Sequence, residues 1–324
     1  MARRGPLLLL LLLGLCAALA SPINKHASGE EAAASTRIVG GERAGSSLPW
    51  VVFFEMTGGS GDNVGTCTGS FLSDTWVLSA AHCVLNDDEE NPALMPSVPP
   101  GAAVYHSCQG GEVGSGPDKF DRCEKALVKR WVTHPCFDAT DIANHDILLV
   151  ELMAPQRAVS AFPSIDTSGA VDTSGGRTVT LAGFGLTSGD IENPVPAEYL
   201  NKVDVPIATE AFCRQQENGG AGIADFSTQL CTGGPAGKDS CNGDSGGPVF
   251  TKQDGTTYIL GVSSRGSALP DDTPNCAVED RLGVYTRVSS YAGWIDSIIS
   301  SGSFSCSSGC GVPACGVGIV VGGG

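Results

Sequence analysis

The sequence predicts an all-β fold closed by one C-terminal helix, and three observations predict it. Turn formers are abundant, with Gly 44 and Pro 19 among 324 residues, and they punctuate the chain at short intervals. Between them lie short runs of β-branched and aromatic residues, the composition that a pleated, half-buried surface selects. Near the end, Trp294, Ile295, Ile298 and Ile299 fall at i, i+1, i+4 and i+5, a helical spacing. A content of 41% hydrophobic and only 17% charged residues supplies material for a sizeable core and argues against disorder.

Taken in order, residues 1–20 read as a secretory signal peptide with cleavage after Ala20. Arg3-Arg4 makes a positive start, Leu7 to Leu15 an apolar centre too short for a membrane span, and Ala18-Leu19-Ala20 a small-residue exit. Its removal takes away Cys16 and leaves twelve of 13 cysteines, an even number suited to an oxidising compartment. Residues 21–37 are Ala/Ser-rich without apolar periodicity and read as an unstructured propeptide ending at Arg37. Strands are expected at residues 50–56, 67–72 and 76–78, around a glycine-rich turn at 58–65. Residues 86–101 are acidic and then proline-rich, a surface loop whose Asp87-Asp88-Glu89-Glu90 run reads as solvated, with no metal role. Cys108 and Cys123 bracket the next loop and are expected to pair, while Cys136 has a tail cysteine as its candidate partner. Residues 127–132 read as a strand leading to His134-Pro135, and the irregular stretch 151–176 suits a crossover between two β subdomains. Further strands are expected at 178–182, before the turn Gly183-Phe184-Gly185, and at 199–207 and 284–288; Ser290 is expected to cap the final helix. Residues 301–324 form a Cys/Gly-rich tail holding Cys306, Cys310 and Cys315, with no visible catalytic chemistry.

The densest chemistry lies in Asp239-Ser240-Cys241-Asn242-Gly243-Asp244-Ser245-Gly246-Gly247-Pro248. One hydroxyl, Ser245, stands on a turn whose glycines permit positive φ and let backbone N–H groups converge. The N–H groups of Gly243 and Ser245 would make an anion-stabilising pocket beside a nucleophile. A serine is a weak nucleophile, so it needs a base and a group to orient that base. His82, in Leu78-Ser79-Ala80-Ala81-His82-Cys83, is the candidate base, and Asp146, in Asn144-His145-Asp146-Ile147-Leu148-Leu149-Val150, the candidate orienting acid. His106, His134 and His145 sit in no nucleophile-activating motif and read as structural or surface histidines.

Four separated blocks now coincide: Ile38-Val39-Gly40-Gly41, the Ala-Ala-His-Cys block, the Asp-Ile-Leu-Leu block and Gly-Asp-Ser-Gly-Gly-Pro. In order and spacing, over residues 38–300, they resemble the trypsin-like serine proteases of the chymotrypsin fold. The resemblance implies two packed six-stranded antiparallel β-barrels with a C-terminal helix. It implies disulfides Cys67–Cys83, Cys213–Cys231 and Cys241–Cys276, leaving six cysteines and 15 connectivities among them. It places Asp239 at the floor of the pocket for the side chain before the cut bond, where a carboxylate favours Arg or Lys. Ser264, Gly266 and Gly283 fall at substrate-binding positions, the glycines leaving room for a long side chain. Cleavage after Arg37 would free the amino group of Ile38 to pair with Asp244, turning a covalent cut into an electrostatic switch. Two residues depart from the family pattern: Phe184 and Arg265 each stand where tryptophan is usual, and an arginine at 265 could stack weakly or repel basic substrates.

A formal charge of −16 argues against general affinity for nucleic acid or anionic membranes. The expectation is a secreted monomer without cofactor or metal, acting on protein or peptide substrates with Arg or Lys before the scissile bond, after an activating protease has cut it. The alternative is a binding protein on the same fold without catalysis; the retention of His82, Asp146 and Ser245 speaks against it. The cysteine-rich tail could serve as an attachment.

Overall fold

Short apolar runs bounded by glycine do become strands, and they assemble into two sheets. The computed structural model describes residues 38–57, 63–86, 93–95, 103–106, 108, 111–190, 193–215, 225–233, 237–266, 276–277 and 281–303. The expected signal peptide and propeptide, Arg37 included, and residues 304–324 of the tail lie outside these.

The first sheet is a closed antiparallel barrel. Its strands are β2 (Val51–Thr57), β3 (Asn63–Phe71), β4 (Trp76–Ser79), β5 (Ala103–His106), β6 (Glu124–Thr133) and β7 (Leu148–Leu152), in the order β2-β3-β4-β7-β6-β5. Along β6 the middle residues alternate, Ala126 and Val128 buried against exposed Leu127 and Lys129, as a strand with one wet face requires. In β7 Leu148, Leu149, Val150 and Leu152 are all buried, which explains the unbroken apolar run after Asp146.

The second sheet holds the expected six strands and two short additions. It comprises β1 (Glu42–Arg43), β8 (Ser164–Ile165), β9 (Thr178–Gly183), β10 (Asn201–Pro206), β11 (Gln229–Gly233), β12 (Pro248–Gln253), β13 (Thr256–Gly266) and β14 (Leu282–Arg287). The order is β1-β10-β9-β12-β13-β14-β11, with β8 parallel to β13. The two additions, β1 and β8, are two-residue strands from the N-terminal segment and the crossover. The sheet curls until Ile207, just beyond β10, bridges to Thr232 on β11, and the Ala208 N–H donates to the Cys231 carbonyl at 2.9 Å. Apart from the β8–β13 pair, both halves are thus curled antiparallel sheets.

Aromatic contacts seal the seam between the sheets. Trp50 meets Phe250 edge-on at 5.1 Å, and Phe184 meets Phe53 at 5.6 Å, so phenylalanine serves as the packing group at 184. A short helix α1 (Glu210–Gln215) precedes β11, and α2 (Ala292–Ser301) ends the described chain, burying Trp294, Ile295 and Ile298. Ser290 does not cap α2. It lies inside a 3₁₀ turn, Val288–Tyr291, that delays the helix start, and its hydroxyl donates to the Ser227 carbonyl instead. The other end matches its residue: Gly302, at φ 72°, takes the left-handed position and returns its N–H to the Ile298 carbonyl.

Four disulfides join described cysteines: Cys67–Cys83, Cys108–Cys123, Cys213–Cys231 and Cys241–Cys276. Cys136 is disulfide-bonded as well, and the tail cysteines named as its candidate partners lie outside the described residues.

Candidate active site

His82 stands on a 3₁₀ turn, Ala81–Val84, directly after β4, and the Cys67–Cys83 bond ties that turn to β3. Its Nδ1 lies 2.8 Å from Asp146 Oδ2, and its backbone N–H donates to Asp146 Oδ1 at 2.9 Å. The carboxylate therefore grips the histidine by ring and backbone together. Burial alone would lower the imidazole pKa, but the charge of Asp146 and its hydrogen bond prevail and hold it above the ordinary value.

Asp146 is 1% exposed, a position that a carboxylate tolerates only when its lone pairs are taken. Ser264 Oγ donates to Oδ2 at 2.6 Å, and Thr286 Oγ1 donates to the Asp146 carbonyl at 2.7 Å. Burial would raise this carboxyl, yet the charge and hydrogen bonds of His82, with the Ser264 hydroxyl, hold it below the usual carboxylate range. The preceding residue aims it. His145 adopts φ 55°, stacks on His134 with centroids 4.8 Å apart, and its Nδ1 lies 3.1 Å from the Tyr291 hydroxyl. His134 is held neutral by burial, its pKa pushed down to about 3. Both histidines act as structure here; His106 lies on β5.

Ser245 sits between Gly243 (φ 95°) and Gly246 (φ 77°). A Cβ on Gly246 would come within 2.0 Å of Ser79 Oγ and 2.4 Å of the Thr68 carbonyl, so only glycine lets this turn close onto the histidine-bearing sheet. Thr68, fully buried, is the hinge pin between the halves, and sequence reasoning missed it. Its N–H donates to the Ser245 carbonyl at 2.8 Å, its hydroxyl donates to the Gly243 carbonyl at 3.0 Å, and it accepts from the Phe184 N–H at 3.2 Å. Among the described residues, the N–H groups of Gly243 and Ser245 themselves donate to nothing. Two uncommitted N–H groups beside a half-buried hydroxyl can receive a developing oxyanion.

Beside Ser245 opens a cavity of about 140 Å³, lined by Asp239, Ser264, Arg265, Gly266 and Arg281 among others. Asp239 is 7% exposed; burial raises its carboxyl pKa, partly offset by the Ala277 N–H and by the charge of Arg281. Gly266 lines the cavity, whereas a Cβ on Gly283 would fall 2.4 Å from the Tyr285 hydroxyl. Arg265 turns its Nη1 toward the Ala143 carbonyl at 3.3 Å. Arg281 is a second residue missed in the sequence: its Nη2 lies 2.3 Å from where a Gly266 Cβ would be.

Behind the turn lies Asp244, 2% exposed. Gly185 and Cys241 donate their N–H groups to it at 2.8 Å each, and a Cβ on Gly185 would strike its carboxyl at 2.5 Å. Burial pushes its pKa up to about 7, with Asp239 adding in the same direction. Ile38 is fully buried in the second sheet's core with Val179, Leu181 and Tyr285, and the Val39 carbonyl accepts from the Asp239 N–H at 3.2 Å. As for metals, Cys67, His82 and Cys83 converge, but the two sulfurs are bonded to each other and offer no thiolate.

A histidine clamped by a buried aspartate, with a serine on a glycine turn across the seam of two curled β-sheets, is the constellation of a serine peptidase. A family model described as Trypsin matches residues 38–295. Among curated proteins the chain is 31% identical to "Trypsin-1" of Astacus astacus, covering 80% of this chain and 98% of that one. It is 32% identical to "CLIP domain-containing serine protease B10" of Anopheles gambiae, covering 80% and 68%, and 31% identical to "Coagulation factor IX" of Oryctolagus cuniculus, covering 80% and 83%. The chain belongs to the trypsin family of serine proteases.

Proposed function

We propose that this protein is a secreted serine endopeptidase, made as a zymogen, that hydrolyses peptide bonds after Arg or Lys. The observation that carries the reading is the 2.8 Å contact of His82 Nδ1 with the buried Asp146 carboxylate, on a sheet against which the Ser245 turn closes through Thr68 and Gly246 while keeping its N–H groups unengaged. His82 Nε2 takes the Ser245 proton as the hydroxyl oxygen attacks the substrate carbonyl. Asp146 fixes the tautomer and stabilises the imidazolium. Gly243 and Ser245 N–H groups hold the oxyanion, and losing one such donor typically costs about 2.7 to 4 kcal/mol of transition-state stabilisation. The imidazolium then protonates the leaving amine, and water, deprotonated by His82, releases the acyl group from Ser245.

Asp239 supports the basic preference, because a largely desolvated carboxylate at the cavity seeks a cationic partner. Asp244 supports activation by cleavage after Arg37: its carboxylate is buried without a paired cation among the described residues, a vacancy that the Ile38 ammonium would fill. Residues 1–20 as signal peptide, 21–37 as propeptide, 38–300 as protease domain and 301–324 as tail complete the scheme. Paired cysteines suit an extracellular site, and no helix among the described residues is long and apolar enough to cross a membrane. A serine-directed fluorophosphonate tests the nucleophile. Labelling of the cleaved protein, absent in Ser245→Ala, supports the reading; failure to label the wild type rejects it.

A further inference from the structure

The cavity beside Ser245 already holds a guanidinium. Arg281 lines it together with Asp239 and Gly266. Its Nη2 lies over the Gly266 Cα, 2.3 Å from where a Cβ would be, so the side chain reaches across the opening that a glycine leaves there. Its Nε and Nη1 are buried without a hydrogen-bond partner among the described residues. Burying donors unsatisfied is costly, so this seat is a weak one that another occupant can take.

Resting on the reading of Asp239 as the anchor of a basic substrate side chain, we infer that Arg281 is a specificity-determining residue that competes with that side chain for the pocket. Its guanidinium lies where the substrate cation must pass, and it swings out before the incoming Arg or Lys reaches Asp239. Charge opposes coexistence: two guanidiniums near one buried carboxylate repel each other where water screens poorly. The field of Arg281 is felt at Asp239, whose carboxyl it draws downward against the effect of burial. Arg281 thus taxes every basic substrate by the fraction of time the pocket is closed, which raises KM and spares the bond-making step. Substrates that gain most from remote contacts are the ones that displace it best, so the enzyme favours extended protein substrates over short peptides.

The experiment compares the full chain after cleavage at Arg37 with Arg281→Ala, Arg281→Glu, Arg281→Lys and Asp239→Asn. Readouts are kcat and KM on Arg- and Ala-ending chromogenic peptides, and the binding of benzamidinium as an inert cation. Removing the competitor should lower KM for the Arg peptide and tighten benzamidinium by about tenfold, more for Arg281→Glu, while Arg281→Lys stays near wild type. An unchanged or higher KM in Arg281→Ala and Arg281→Glu, with Arg turnover lost in Asp239→Asn, overturns the competitor and leaves the Asp239 pocket standing. Turnover of Ala but not Arg peptides by the wild type and every Arg281 variant overturns both.

Discussion

Ser264 Oγ donates a 2.6 Å hydrogen bond to the same Asp146 oxygen that lies 2.8 Å from His82 Nδ1. The cavity-lining strand β13 and the Asp146 carboxylate are therefore wired together, and Ser264, expected from the resemblance only as a substrate-binding position, also holds Asp146 in place. Ser264→Ala should weaken kcat by about ten- to a hundredfold, since a buried hydrogen bond to a charged group contributes about 1.5 to 3 kcal/mol. With one donor fewer, Asp146 presents more negative charge to His82, so the acid limb of kcat/KM moves to higher pH. An unmoved limb would show that Ser264 only packs.

The Asp146 carboxylate is what lifts His82 against burial. A base must be neutral to accept a proton, so activity should fall as pH drops through a pKa lying above the ordinary imidazole value of about 6.5. In Asp146→Asn burial acts alone, the pKa falls and the limb moves to lower pH, while kcat drops about 10⁴-fold as is typical of this constellation. A pH profile of the variant superimposing on wild type would contradict the assignment.

Asp244 gives the uncut chain a distinct pH dependence of stability. Its folded pKa of about 7 lies above the ordinary carboxylate value, so the folded state binds the extra proton. Stability of the uncut protein should fall as pH rises from about 4 to about 7, by on the order of 4 kcal/mol from this group. An ammonium at Ile38 would remove the loss, so cleavage at Arg37 should raise Tm clearly more at pH 8 than at pH 5. Equal shifts at both pH values would rule out the Ile38–Asp244 pair.

Thr68 bridges the Gly243 carbonyl and the Phe184 N–H through one hydroxyl. Thr68→Val keeps the shape and deletes the bridge. It should cost about 1 to 3 kcal/mol of stability and lower kcat more than KM, because the displaced turn carries Ser245 and the unengaged N–H groups of Gly243 and Ser245. Denaturant unfolding and steady-state kinetics on the same preparation separate the two effects.

Much of the site was legible because its chemistry restricts residue type within short blocks: Ser245 needs glycines around it, and Gly246 is forced by the approach of Ser79. The strands were legible from their apolar runs, and the Cys108–Cys123 pair from its bracketing of a loop. What escaped depends on contacts across the chain. Two-residue strands such as β1 and β8 carry no periodicity and exist only through register, Glu42 with Lys202 and Ser164 with Tyr258. Ser290 looked like a cap, yet tertiary structure offered its hydroxyl a carbonyl 63 residues away. Thr68 and Arg281 stand in no motif; only folding brings one to the Ser245 turn and the other over Gly266.

The most direct test is hydrolysis of short Arg-, Lys-, Phe- and Ala-ending chromogenic peptides by the wild type and Ser245→Ala, before and after cleavage at Arg37. Arg and Lys turnover should appear only after the cut and be abolished, without unfolding, in Ser245→Ala. Undiminished turnover in Ser245→Ala, or silence of the wild type with Ile38 verified as its N-terminus, would contradict the proposed triad and its activation.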